Sequence, residues 1–219
     1  METSTSKRRF PALEAAGINL KHNALLPIAV SAALLFLIPV IVGTANLDKN
    51  TSAVPLEMFV SLIGIVMLTP VFQPEQNAEI DDLVSSKYIS TMRIYLIRTI
   101  YSIIAIVLFI CIFSGYMSIR DCDVDLRLMM GTLFDAIFLG SLGMITSSLC
   151  GNTVIGYMIP IVFYTLNYGM GSKLKNYYLF SMTIGKFGPK IWMLITGILF
   201  ITASIIFRGI RKKYVPFFS

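Results

Sequence analysis

Polar and apolar positions alternate along this chain in blocks rather than in single steps. Six apolar runs stand out, at 25–42, 56–72, 94–117, 128–149, 154–168 and 191–207. Each predicts a helix of about 15 to 24 residues, against the ~20 that cross a ~30 Å hydrocarbon core. Helices are required there, because lipid offers no partner to an open backbone N–H or C=O. The fifth run is short and contains Pro160, so it is expected to borrow a turn at one end.

Three polar stretches carry patterns of their own. At 8–23, "RRFPALEAAGINLKHN" places Phe10, Leu13, Ala16 or Gly17 and Leu20 at spacings of three and four, with Arg8, Arg9, Glu14 and Lys21 elsewhere. The spacing predicts an amphipathic helix lying on the membrane face, entered through Pro11. At 169–190, "GMGSKLKNYYLFSMTIGKFGPK" is too short to span and return, yet too aromatic for a solvated loop. Tyr177, Tyr178, Phe180 and Phe187 suit the membrane interface, which predicts a short re-entrant or interfacial helical element. Between the second and third runs, Glu75, Glu79, Asp81 and Asp82 precede Lys87, Arg93 and Arg98, an order that complements a helix dipole. Ile80, Leu83, Val84 and Tyr88 give that segment one apolar face, of the kind that docks into a groove on a soluble partner.

Composition agrees with the blocks. Of 219 residues, 56% are hydrophobic and 14% charged, where a soluble domain averages about 25% charged. The net charge of +6 does not point to nucleic acid, because the basic residues flank apolar runs instead of forming a patch. With six spans both termini share a side. That side holds Lys7, Arg8, Arg9, Lys21, Lys87, Arg93, Arg98, Arg208, Arg211, Lys212 and Lys213; Lys49, Arg120, Arg127, Lys173, Lys175, Lys186 and Lys190 fall on the other. The excess of Lys and Arg predicts cytoplasmic termini. Met1 to Asn23 is polar and basic and leads into a full-length apolar run, so no cleavable signal peptide is expected.

Little in the chain points to catalysis. Three cysteines and the single His22 suggest neither a zinc site nor a disulfide framework. His22 precedes the first run, which leaves no intramembrane base for a serine such as Ser141. The phosphate-cradling pattern G-x-x-x-x-G-K-[ST] is absent, and "GMGSKLK" has the wrong spacing. Asp135 is the clearest ionisable group inside a run. An intramembrane carboxylate is a functional candidate by default, and three roles are open to it: lining a pathway, pairing with a base such as Arg127 or Arg120, or sitting protonated and hydrogen-bonded between helices. Gly140, Ser141, Gly143, Ser147 and Ser148 predict close helix packing. Asn167 and Tyr164, near the outer end of the fifth run, are candidates for contact with a departing substrate.

The stretch "EQNAEIDDLVSSKYIS", followed by "RIYLIRTI", resembles the cytoplasmic loop between the second and third spans of ABC-2 type permeases, the membrane subunits of ABC exporters. Glu75 matches the glutamate that opens that loop, Leu83 and Val84 its apolar pair, Ile89 and Ser90 the end of its short helix. Arg98 stands near its basic residue. The chain departs from the family pattern where Gly-Thr is common (Glu79, Ile80) and where Pro is common (Tyr88). The resemblance implies an all-helical, six-span permease with an interfacial N-terminal helix and a re-entrant element before the last span. It makes 73–93 the coupling loop, with Glu75, Glu79, Asp82, Leu83, Val84 and Tyr88 gripping an ATPase. It also implies a separate ATP-binding subunit in two copies holding ATP and Mg, a second permease copy or a related one, and a bacterial plasma membrane. The cargo expected from so few intramembrane charges is apolar or amphiphilic: a peptide, an antibiotic or a lipid-like molecule. Two other readings compete, a secondary transporter or channel using Asp135 and a non-transporting anchor or sensor subunit.

Overall fold

The computed structural model describes residues 25–76 and 91–214. The amphipathic segment at 8–23 and most of the charged stretch, including Glu79, Asp82, Leu83, Val84 and Tyr88, lie outside the described residues. The described residues form helices joined by short loops, with no strand among them: α1 Leu25–Val42, α2 Lys49–Met58, α3 Ile63–Leu68, α4 Thr91–Ile119, α5 Leu126–Cys150, α6 Thr153–Met170 and α7 Gly188–Tyr214.

Among the described residues, five helices are long and apolar enough to cross a membrane: Leu25–Val42, Lys49–Pro74, Met92–Ile119, Leu126–Cys150 and Gly188–Ile210. The 18-residue α6 is not among the five. The first helix is apolar on all sides and buries only Ser31 and Ile38. Such a helix has lipid as its natural solvent.

The second span begins seven residues earlier than the apolar run suggests and is not one helix. Pro55 sits within α2, Phe59 N–H bonds the Pro55 carbonyl at 3.2 Å, and Leu62 N–H then takes the Phe59 carbonyl at 3.1 Å. That i to i+3 bond tightens 60–62 into a 3-10 turn before α3 resumes. A second 3-10 stretch, Thr69–Gln76, contains Pro70 and Pro74 and carries the backbone of Glu75.

The 25-residue α5 is the centre of the bundle, packed against α7, α6, α3 and both 3-10 stretches of the second span. Small residues allow this. A Cβ on Gly64 would fall inside the Ala136 carbonyl, and one on Gly140 would meet Gly64 O and Leu68. Gly143 likewise admits Thr69, and a Cβ on Gly156 would lie 2.8 Å from that of Ser147. Ser148 Oγ donates to Ser204 O at 3.1 Å, linking α5 to α7. The small residues of α5 therefore serve helix packing, as expected where dispersion at close approach replaces hydrophobic drive. Their partners Gly64 and Gly156 were not singled out by the sequence.

At one end of the bundle the short loops 43–48 and 120–125 are tied together. Asn46 N–H donates to Arg120 O and Asp123 N–H to Leu47 O, both at 3.0 Å, and Lys49 pairs with Asp125 at 2.8 Å. The connection 171–187 lies at the same end.

Candidate functional site

Three ionisable side chains meet inside the bundle near that end. Glu57 comes from the last turn of α2, Asp135 from the third turn of α5 and Lys190 from the first turn of α7. Glu57 and Asp135 are fully inaccessible and Lys190 is 1% exposed. Lys190 Nζ lies 2.6 Å from Glu57 Oε1. It also donates to Asp135 Oδ2 and to the Leu179 carbonyl. An ammonium has three protons and no acceptor, so each proton has its own partner. The second Asp135 oxygen, Oδ1, has no hydrogen-bond partner among the described residues.

Asp135 thus pairs with Lys190, not with Arg127 or Arg120. Helical side chains lean toward the N-terminus of their helix. Arg127, two turns before Asp135, therefore leans away from it, and the base has to come from another helix.

The cluster also holds the 171–187 connection. Glu57 Oε1 accepts from Met182 N–H at 2.8 Å and Oε2 from Thr183 N–H at 3.1 Å. One carboxylate thereby satisfies two orphan donors at the start of the 3-10 turn Met182–Ile184. Asn167 Oδ1 accepts from Leu179 N–H at 2.7 Å, and Tyr164 donates its hydroxyl to Met58 O at 2.6 Å. Leu179, Phe180, Ser181 and Met182 are buried. The Phe180 ring meets Tyr164 edge-on at 5.5 Å, with Tyr168 and Tyr178 at 6.3 and 6.1 Å. Burial pushes the Tyr178 phenol above its ordinary pKa.

The connection is neither a regular helix nor a solvated loop. It forms two 3-10 turns, Gly171–Tyr177 and Met182–Ile184, with its middle pulled into the protein by side chains from α2, α6 and α7. Asn167 and Tyr164, the candidates for contact with a departing substrate, both bond backbone groups, Asn167 from full burial.

Sequence reasoning found Asp135 and missed its two partners. Glu57 sits at the second position of an apolar run, and Lys190 was counted with the outer loop. The available signal was the isolation of each charge: Leu56 and Met58 flank Glu57, and Ile191-Trp192-Met193 follows Lys190. Comparison of the chain with family models, curated proteins and solved structures returned no match. Among the described residues, five helices are long and apolar enough to cross a membrane, which is consistent with a multi-pass membrane protein.

Proposed function

We propose that the chain is the membrane-spanning permease subunit of an ATP-driven exporter of the ABC-2 type, moving an apolar or amphiphilic cargo. The observation that carries this reading is the clamp at the end of the bundle that bears the charged stretch. Arg98 Nη1 donates to Val71 O at 3.1 Å, and Phe72 meets Tyr95 edge-to-face at 4.9 Å, both rings fully buried. Val71, Phe72 and Tyr95 share one apolar cluster with Ile137 and Met144 of α5 and Ile201 and Ile205 of α7. A push on residues 77–90 from outside the membrane would therefore reach the central helix through close-packed side chains, which transmit displacement instead of absorbing it.

In this reading α6 is the fifth of six spans, both termini are cytoplasmic, the 171–187 connection closes the outer end, and two permease chains enclose the pathway. ATP and Mg belong to the partner subunit. Glu57, Asp135, Lys190, Asn167 and Tyr164 fasten the outer connection to the helices.

The test is purification from mild detergent, with the doubly substituted Glu79→Ala/Leu83→Ala chain beside the native one. A co-purifying ATPase, lost from the variant or no longer stimulated by it, is the expected result. A carrier driven by a coupling ion is the second reading, favoured by the buried trio itself, since intramembrane ionisable groups mark ion paths by default. If no nucleotide-binding subunit associates under any mild extraction, the permease reading fails and the carrier reading replaces it.

A further inference from the structure

A groove of about 420 Å³ runs between the starts of α5 and α7. One wall is a stripe on α5, Leu126, Met130 and Phe134, spaced every four residues so that they stack on one face. The stripe extends about 12 Å along the helix. Ile191 of α7 forms part of the opposite wall. Leu126 is 69% exposed and Ile191 58%, so the groove opens sideways onto the surroundings of the bundle, which for this chain means hydrocarbon.

Arg127 also lines the groove, its guanidinium 5.9 Å from the centre of the Phe187 ring. No carboxylate lies in the lining, and among the described residues none lies within ion-pair distance of Arg127. The neighbouring acid, Asp125, is bonded to Lys49 at 2.8 Å. Lys190 reaches the groove too, but its ammonium is directed at Glu57 and Asp135, which leaves its alkyl stem as lining. The groove therefore combines an apolar slot with a cation that makes no ion pair among the described residues. That is the chemistry of an acyl chain ending in a phosphate.

We propose that this groove binds an anionic phospholipid of the surrounding bilayer, with an acyl chain along Leu126, Met130 and Phe134 and the phosphate on Arg127. The site is independent of what drives transport, so it stands or falls separately from the permease reading.

Trp192 follows Ile191 directly and is the single tryptophan of the chain. It is 53% exposed, which makes it a built-in probe for lipid at this end. The full chain is reconstituted in phosphatidylcholine vesicles carrying a small, equal fraction of brominated phosphatidylglycerol or brominated phosphatidylcholine. Quenching of Trp192 is then compared. The expected result is about three- to fivefold enrichment of the anionic lipid, the scale set by one basic residue at a membrane surface, abolished in Arg127→Gln and retained in Arg127→Lys. Equal quenching by the two lipids would overturn the proposal. So would an excess that survives Arg127→Gln, which would place the preference on other lysines. Trp192 shielded from both lipids would mean that a second copy or another protein covers the groove, and would overturn it as well.

Discussion

Replacing Lys190 by methionine tests the buried cluster most directly. Methionine keeps the length and apolar stem while removing the ammonium and its three bonds. Glu57 and Asp135, both fully buried, then face each other without a cation, and the Leu179 carbonyl loses the donor it has. Breaking a buried ion pair from one side costs about 3–5 kcal/mol, and an orphaned buried carbonyl adds about 1–3 kcal/mol. For a chain of this size roughly 2–4 °C of melting temperature corresponds to each kcal/mol, so Lys190→Met should melt about 10 °C or more below the native chain. The assay is the fraction that stays monodisperse on size exclusion after heating in detergent, paired with proteolysis of the 171–187 connection, which should become cleavable at lower temperature. Asp135→Asn leaves the Lys190–Glu57 bond in place and should lose less. The triple replacement Glu57→Gln/Asp135→Asn/Lys190→Met leaves no buried charge and should recover much of the loss, because coupled residues are non-additive. Melting of Lys190→Met within about 2 °C of native, or a triple variant less stable than Lys190→Met, would refute the argument that the lysine holds the cluster together.

Two further outcomes follow from packing and from surface charge. Gly64→Ala should destabilise by at least the 1–3 kcal/mol typical of overpacking, since its methyl group would overlap the Ala136 backbone. Gly115→Ala, in open space on α4, should stay within about 1 kcal/mol of native on the stabilising side; thermal melts of the pair separate the two, and equal losses would sink the close-approach argument. Lys49, by its hydrogen bond and then its charge, holds the Asp125 carboxyl below its ordinary pKa. A carboxyl with a depressed folded pKa adds stability above its unfolded pKa, and that stability is lost as pH falls through the folded value. Melting temperature followed from about pH 6 down to about pH 3 should show a small acid-side decline that Lys49→Gln reduces, and an unchanged decline would place its origin elsewhere.

The helices were legible wherever the membrane dictates them. A run of apolar residues long enough for the bilayer must close its own backbone bonds, and α1, α4, α5 and α7 follow from that constraint alone. The start of the second span was not legible. Residues 49–55, "KNTSAVP", fall outside every apolar run, yet they form most of α2. Ser52 Oγ bonds Leu47 O at 3.0 Å, Lys49 reaches Asp125, and Ala53 and Leu56 are buried in the main core. Tertiary contacts override weak helix propensity there. The connection at 171–187 was recognised as unusual from its aromatics, but its 3-10 form was not, because that form depends on Glu57, Asn167 and Lys190 bonding its backbone.

By itself the sequence determined the membrane-type build, the approximate ends of most helices, the small-residue face of α5 and the presence of one carboxylate where charge is costly. These follow from composition and spacing, which act locally along one helix. Only the tertiary structure decided that Asp135 meets Lys190, 55 positions away, that Glu57 caps Met182, 125 positions away, and that Gly64 receives the α5 backbone. Such pairings depend on how each helix is rotated about its own axis against its neighbours. A one-dimensional pattern of apolar residues leaves that rotation undetermined when a helix is apolar on every side.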